Sequence, residues 1–145
     1  MTIQQVDVEI IRSLRSLVLR PGQPIKSTDY DKDKETTTLH YAALKDGTAL
    51  CIATFYPELI EDISSIRAYR LRGMATHPDY RRHGLASDLM HKVMTDLVGL
   101  GCDLLWCKAR LVAIEFYESL GFVKIGPMYD IEGIGPHFTM YKKIK

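Results

Sequence analysis

The segment Tyr69–Ala86 joins an apolar strand to an amphipathic helix, which predicts a fold that contains both strands and helices. Apolar and small residues predict a strand over about residues 66–76, and Pro78 ends it. A helical pattern begins near Arg81, with apolar residues on one face: Leu85, Leu89, Val93, Met94 and Leu97. The turn before the helix therefore lies at its N-terminus. Unpaired backbone N–H groups and the helix dipole favour an anion there, such as a diphosphate.

The turn Arg81–Ala86 combines positive charge with small residues. Gly84 and Ala86 keep side chains away from a bound anion. Positive charge comes from Arg81, Arg82 and His83. No Lys-Ser/Thr pair follows the glycine, which argues against a nucleotide-binding P-loop. The same residues also fit an ordinary helix cap with a solvated basic rim, so the turn alone leaves both interpretations open.

The remaining pattern predicts one mixed α/β domain over residues 1–145, because a chain of 145 residues with 46% apolar side chains can form one core but not two. Further strands are predicted at about 2–6, 37–44, 48–56, 103–108, 122–129 and 137–143. Helices are predicted at 112–120 and at 8–19, the latter with an apolar stripe of Ile10, Ile11, Leu14, Leu17 and Val18. Asp46-Gly47 predicts a hairpin, so the first half of the sheet is expected to be antiparallel. The polar run 23–35 is expected to be a loop or a short distorted helix and is a candidate flap over a site.

Charge and cysteine content exclude several classes of partner. The chain has 19 basic and 18 acidic residues, so it has no chain-wide attraction to nucleic acid or an anionic membrane. No apolar run approaches the roughly 20 residues that span a bilayer, and the N-terminal residues do not resemble a signal peptide. We therefore expect a cytoplasmic protein. Its cysteines are odd in number and lack metal-ligand spacing, which predicts buried free thiols at Cys51, Cys102 and Cys107.

A second segment narrows the family. Residues 113–122 read Ala-Ile-Glu-Phe-Tyr-Glu-Ser-Leu-Gly-Phe and follow the strand-like Leu104–Cys107. Together with the turn Arg81–Ala86, they resemble the GNAT acetyltransferases, in which such a turn follows the fourth strand and an Ala-x-x-Phe-Tyr-x-x-x-Gly-Phe segment follows the fifth. Four further stretches are similar to a Bacillus-type glyphosate N-acetyltransferase, namely residues 19–24, 71–76, 105–110 and 134–143. The resemblance thus extends along nearly the whole chain.

This resemblance implies the GNAT fold, a single mixed and mostly antiparallel central sheet flanked by helices, with acetyl-CoA as the cosubstrate and no metal. In that family the turn holds the pyrophosphate, and the main chain of the fourth strand faces the pantetheine and the acetyl carbonyl. The cofactor-binding residues that it implies are Met74, Ala75, Thr76, Arg81, Arg82, His83, Gly84, Leu85, Ala86 and Ser87.

Two residues are candidates for proton transfer. His137 follows Gly135-Pro136, and the ordinary histidine pKa of about 6.5 suits a base near neutral pH, although a lone histidine is more often structural. Tyr117 fits either a core aromatic residue or an acid. The resemblance implies that His137 is the general base for the acceptor amine. It also implies that Tyr117 protonates the coenzyme thiolate, or only hydrogen-bonds its sulfur, without an acyl-enzyme intermediate.

Three arginines are candidates for binding the acceptor. Arg72 lies in an otherwise apolar strand with Arg70 on the same face, and a buried guanidinium needs a protein carboxylate or a substrate anion. Arg20 and Arg110 would each read as surface residues by themselves. The resemblance maps the substrate-anion arginines onto Arg20, Arg72 and Arg110, whose planar forks suit carboxylate and phosphonate. Related enzymes tend to have asparagine where Lys108 stands, a departure that can alter pocket shape or acceptor preference.

The sequence therefore predicts an N-acetyltransferase for a small anionic amine, glyphosate-like in its carboxylate and phosphonate groups, acting as a monomer or homodimer. Acetylation of a protein or peptide amine is an alternative, against which the arginines argue. A non-catalytic acyl-CoA-binding module is another, and the presence of both His137 and Tyr117 disfavours it. The physiological acceptor is not specified, because arginines select an anion and not the carbon skeleton behind it.

Overall fold

The computed structural model describes residues 1–144. Seven strands, numbered in chain order with the ranges given below, form one sheet in the order β1-β2-β3-β4-β5-β7-β6. Its strands are β1 (Thr2–Val6), β2 (Leu39–Lys45), β3 (Thr48–Pro57), β4 (Ala68–Thr76), β5 (Leu104–Arg110), β6 (Val123–Ile131) and β7 (Gly135–Lys143). The helices are α1 (Val8–Leu19), α2 (Leu85–Gly99) and α3 (Ile114–Ser119), with 3-10 turns at Ile25–Thr28, Pro78–Tyr80 and Leu111–Ala113. Neighbouring strands are antiparallel except for β4 and β5, which run parallel. The predicted mixed, mostly antiparallel sheet is confirmed.

The two faces of the sheet are covered by different helices. Helices α2 and α3 pack on one face and form the larger core with inward residues of the central strands, including Phe55, Leu71, Leu89, Leu105 and Met140. Helix α1 packs on the other face, where Ile11 and Leu14 contact the layer of Ala42, Ile52 and Ala75. Each large apolar side chain buried in this way contributes roughly 1.5–3 kcal/mol to folding. The helices thereby fix the positions of β3, β4 and β5.

Helix α1 has the predicted bounds, and its predicted apolar stripe is buried only in part, at Ile11 and Leu14. Ile10 and Leu17 are 46% and 52% exposed, whereas Arg15 is completely buried. The Arg15 guanidinium donates to Asp33 at 2.6 Å and to Thr54 Oγ1 at 2.7 Å, so polar partners replace the expected apolar contacts. The apolar stripe therefore indicated the helix correctly, but the buried face includes Arg15 and leaves out Ile10 and Leu17.

Two helix starts differ from the sequence prediction. Helix α2 begins at Leu85 rather than near Arg81, because Arg82 and Gly84 have φ angles of 65° and 78°. These left-handed conformations are incompatible with a right-handed helix. The segment predicted as a helix at 112–120 is a 3-10 turn followed by the short α3, and β5 extends to Arg110, two residues beyond its predicted end.

The sheet divides between β4 and β5. Their parallel pairing runs from Ala68–Leu104 to Leu71–Cys107 and stops there. Beyond that point β4 continues beside β3, and β5 continues beside β7. A register shift in the β3–β4 pair accompanies the left-handed Gly73, whose φ is 66°. The two central strands therefore diverge and leave a wedge-shaped gap.

The cysteine prediction is confirmed, since Cys51, Cys102 and Cys107 are free and buried. The hairpin prediction is confirmed as well, because β2 and β3 pair on either side of Asp46-Gly47. None of the helices in residues 1–144 combines the length and the apolar composition needed to cross a membrane.

Candidate active site

A cleft of about 850 Å³ occupies the gap between β4 and β5. It is bounded by the Arg81–Ala86 turn, by α3 and by the β6–β7 hairpin. The candidate residues that line it are Arg72, Met74, Ala75, Thr76, Arg81, Arg82, Ala86, Arg110, Tyr117 and His137. Five candidates do not line it: Arg20, His83, Gly84, Leu85 and Ser87. The fold thus gathers residues that are far apart in sequence at one opening.

The first turn of α2 offers an open anion site at one end of this cleft. Gly84 is its N-cap and has no side chain to occupy the first backbone N–H groups, whereas in α1 the Asp7 side chain accepts from Glu9 N at 3.0 Å. Arg81 and Arg82 line the cleft beside this turn. Free N–H groups, the helix dipole and two guanidiniums together favour a diphosphate. Leu85 is buried in the core, so only its backbone is available to a ligand.

The free edge of β4 forms the middle of the cleft. Met74, Ala75 and Thr76 line it, and β4 pairs only with β3 beyond Leu71. Backbone N–H and C=O groups that face away from β3 therefore have no strand partner. Such groups need hydrogen bonds, and an extended amide-containing ligand can supply them.

His137 lies opposite Arg110 in the β5–β7 pairing and is only 4% exposed. Its Nδ1 lies 2.8 Å from the carbonyl oxygen of Gly135, and Tyr129 stacks on the ring with centroids 6.1 Å apart. A neutral imidazole that donates Nδ1–H to this carbonyl carries its lone pair on Nε2. The hairpin therefore holds a neutral His137 in the Nδ1–H tautomer, which leaves Nε2 as the hydrogen-bond acceptor.

Tyr117 approaches the cleft from α3, on the side of the sheet that carries the larger core. Burial raises the pKa of its phenol well above the ordinary value, with smaller contributions from nearby groups, so it stays protonated at neutral pH. Cys107 also lines the cleft, but burial raises the pKa of its thiol to about 12. The thiol form is a poor nucleophile, so Cys107 is not suited to carrying an acyl group.

The arginines of β4 and β5 have different partners. Arg70 donates to Glu58 at 3.2 Å and therefore has a protein carboxylate. Arg72 has no ion-pair partner in residues 1–144, and its guanidinium carbon lies 3.8 Å from the centre of the Tyr30 ring. The Arg110 guanidinium donates to the carbonyl oxygen of Leu19, at 3.4 Å, and has no ion-pair partner in residues 1–144. Besides the arginines of the turn, the guanidiniums of Arg72 and Arg110 are thus available to an external anion.

Residues 8–122 match the model of the acetyltransferase (GNAT) family. The chain is 35% identical to the uncharacterized N-acetyltransferase YitI of Bacillus subtilis (strain 168) over 143 residues, which is 99% of this chain and 96% of that protein.

The chain belongs to the GNAT family of acetyltransferases.

Solved structures share its fold. Escherichia coli ElaA superimposes with a TM-score of 0.80 at 18% identity, covering 98% of this chain and 99% of that one. An aminoglycoside 6'-N-acetyltransferase complexed with coenzyme A superimposes with a TM-score of 0.75 at 16% identity, covering 100% and 98%. This GNAT protein is an acetyl-CoA-dependent N-acetyltransferase, and its open α2 N-terminus and free β4 edge fit the diphosphate and the amide-containing arm of acetyl-CoA.

The sequence did not indicate two residues that lie in this GNAT site or directly beside it. Tyr30 lines the cleft from the segment that was predicted as a loop or flap, and its ring also contacts Arg15, at 4.1 Å from the guanidinium carbon. Glu58 neutralises Arg70 and also binds Lys32 at 3.3 Å. Neither lies in a motif, and only the tertiary contacts identify them.

Proposed function

We propose that this enzyme transfers the acetyl group directly to the amine of a small acceptor that carries carboxylate or phosphonate groups, as glyphosate does. One observation carries the proposal. Arg70 is neutralised by Glu58, whereas Arg72 and Arg110 line the same cleft without an ion-pair partner in residues 1–144. A partly buried guanidinium without an anion is costly, and an anionic acceptor would remove that cost.

The arginines would bind and orient the acceptor. Arg72 projects from β4 and Arg110 from the end of β5, so they stand on the two arms of the wedge. Planar guanidiniums on two sides can hold the acceptor in one orientation through paired hydrogen bonds to its acidic groups. Arg20 caps the C-terminus of α1, next to the Leu19 carbonyl that Arg110 contacts, and we assign it a supporting role in the same anion site.

His137 would make the acceptor nucleophilic. An amine is protonated near neutral pH and must lose a proton before its lone pair can attack. The Nε2 atom of His137 would take that proton, while the Gly135 carbonyl holds the ring in place. The amine then forms the new N–C bond at the thioester carbonyl, whose developing negative charge the free N–H groups of β4 would stabilise.

Tyr117 would complete the reaction on the opposite side of the wedge. Acetyl-CoA supplies the activated acetyl thioester, and the C–S bond breaks as the amide forms. The buried phenol of Tyr117 is protonated at neutral pH, so it can hydrogen-bond the departing sulfur or give it a proton. The raised pKa of Cys107 supports direct transfer instead of an acyl-cysteine route.

A thiol-release assay with acetyl-CoA and amines of different charge tests the proposal. The panel contains glyphosate, aspartate, glutamate, serine, a polyamine and a lysine peptide. We expect turnover of the anionic amines, with Arg110→Ala raising the acceptor KM far more than the acetyl-CoA KM. Arg67→Ala is the matched control, because Arg67 binds the Leu100 carbonyl outside the cleft. Preference for the polyamine or the peptide would refute the acceptor class.

The role of His137 as general base is tested with the variant His137→Ala. His137→Ala should lower kcat with little change in either KM, because His137 acts on the reacting proton. The pH dependence of kcat near neutrality should disappear in the variant. A steep dependence that survives in His137→Ala would mean that another group accepts the proton.

A further inference from the structure

Lys108 stands at the point where the central strands separate. The last β4–β5 pair is Leu71–Cys107, so the next residue on each strand is Arg72 and Lys108. Strand alternation places Lys108 on the same face as Arg110, two residues further along β5. Lys108 is also the direct partner of Thr139 in the β5–β7 pairing, and His137 lies two residues from Thr139. It therefore lies between the two free arginines and beside the proposed base.

Lys108 is the exposed residue of a strand that is otherwise mostly buried. Strand β5 is an interior strand, with β4 on one side and β7 on the other. Residues 104–107 and Ala109 are buried, whereas Lys108 is exposed and lines the cleft. The side chains of a strand point to the two faces of the sheet, so Lys108 is exposed because its face is uncovered at this position, where β4 and β5 separate. The cleft that Lys108 lines is the one that the acceptor would enter.

The surroundings of Lys108 contain more positive charge than they can neutralise. Although the side chain is exposed, partial desolvation lowers the pKa of its ammonium, and the positive charges of Arg70 and Arg72 lower it further, against a smaller effect of Glu58. Glu58 already binds Arg70 and Lys32, and Lys108 has no ion-pair partner within residues 1–144. An ammonium in this setting is stabilised by an anion from outside the protein.

We propose that Lys108 is an acceptor-binding residue that recognises a second anionic group, so that this enzyme prefers amines with two acidic groups to amines with one. This inference rests on the proposed function. Arg110 and His137 face each other at the open end of β5 and β7, where the amine and its nearest acidic group would lie. Arg72 and Lys108 at the apex of the wedge would then bind the second acidic group.

Matched pairs of acceptors test this role. Serine and O-phosphoserine differ by one phosphate, and alanine and aspartate differ by one carboxylate. Lys108→Gln should raise the KM for O-phosphoserine and aspartate by about 10- to 30-fold, because a charge-assisted hydrogen bond is lost. The KM values for serine, alanine and acetyl-CoA should stay within about 2-fold. Lys108→Arg should retain most of the preference, since the charge remains.

The control is Lys92→Gln, because Lys92 pairs with Asp96 on the outer surface of α2. This variant should leave all KM values unchanged. An equal effect of Lys108→Gln on both members of each pair would overturn the role of Lys108. Preference of the wild-type enzyme for the polyamine would instead refute the proposed function, so the two failures are distinguishable.

A binding measurement covers the case in which none of the four amines is turned over. Reductive methylation with ¹³C-formaldehyde labels the lysines, and the Lys108 resonance is the one missing from the spectrum of Lys108→Gln. Titration with O-phosphoserine should move this resonance and raise the midpoint of its pH titration, because an anion stabilises the ammonium. Titration with serine should not. The absence of a shift with O-phosphoserine would overturn the proposal.

Discussion

Arg15 and Arg72 contact the same aromatic ring, yet only the charge of Arg15 is neutralised by a carboxylate of the described residues. Their guanidinium carbons lie 4.1 and 3.8 Å from the centre of the Tyr30 ring. Arg15 is completely buried and binds the carboxylate of Asp33 through both terminal nitrogens, at 2.6 and 3.1 Å. Arg72 lines the cleft and has no ion-pair partner in residues 1–144. The comparison separates an arginine that holds the fold together from one that is available to a ligand.

Arg15 connects three parts of the chain. Besides Asp33, it binds the carbonyl oxygen of Thr28 and the hydroxyl of Thr54, and His40 lies 2.8 Å from the same hydroxyl. The Asp33 carboxylate also accepts from the backbone N–H of Tyr30 at 2.9 Å. Through these bonds, α1 fixes the 25–38 segment and thereby the ring against which Arg72 packs.

The largest expected effect is that of Arg15→Met. The variant leaves the Asp33 carboxylate buried without its cation, and breaking a buried ion pair from one side costs about 3–5 kcal/mol. We expect a loss of this size in the free energy of unfolding, measured by urea denaturation. The double variant Arg15→Met/Asp33→Leu should recover a large part of it. A loss below about 1 kcal/mol in Arg15→Met would show that the pair is not structural.

The next effect is that of Arg72→Ala, which should act on binding more than on folding. Loss of a charge-assisted hydrogen bond to the acceptor should lower kcat/KM for the preferred anionic amine by about 10- to 100-fold. The free energy of unfolding should fall by no more than about 2 kcal/mol, because only the cation–π contact with Tyr30 is lost and no protein carboxylate is left unpaired. Steady-state kinetics and urea denaturation together check the prediction. An equal rise in the KM for acetyl-CoA would contradict it.

Tyr30→Leu should have a smaller effect on the binding of the acceptor, and it should also affect the stability of the fold. A cation–π contact contributes roughly 0.5–2 kcal/mol, so we expect a loss of this order in the free energy of unfolding. The acceptor KM should rise by about 3- to 10-fold because Arg72 loses the surface that positions it. Tyr30→Phe keeps the aromatic face and should resemble the wild type in both measurements. Loss of function in Tyr30→Phe would instead assign the role to the hydroxyl.

The smallest effect is expected for the exposed pair that joins the same two segments. Arg12 on α1 binds Asp29 through two hydrogen bonds of 2.9 and 2.8 Å, and its guanidinium lowers the pKa of that carboxyl below the ordinary 3.8. The pair therefore stabilises the fold above pH 3.8, and this contribution is lost as the pH falls through the lowered pKa. Arg12→Met should lower the urea midpoint only slightly at neutral pH and should remove this part of the acid dependence. Because exposed pairs are screened, the difference from the wild type should shrink in high salt; a difference that persists there would contradict the assignment.

Local patterns were sufficient for the order of the elements. Strand β1 and helix α1 have the predicted bounds, and the Asp46-Gly47 hairpin is present, because alternation, amphipathic spacing and turn preference act over a few neighbouring residues. The helix starts at Leu85 and Ile114 were not predictable in the same way. Left-handed residues in the turn and a tight 3-10 segment after β5 depend on how the chain is held at both ends.

The sequence by itself determined the family, and it supplied the candidate residues for the chemistry. These are a turn with backbone N–H groups at a helix N-terminus, a histidine, a tyrosine and several arginines. Only the tertiary structure decided which charges are available. Arg15 and Arg70 are neutralised by Asp33 and Glu58, whereas Arg72 and Lys108 have no ion-pair partner in residues 1–144. The physical reason is that a charge is stabilised or left free by groups within a few ångströms of it, and here those groups come from parts of the chain that are distant in sequence.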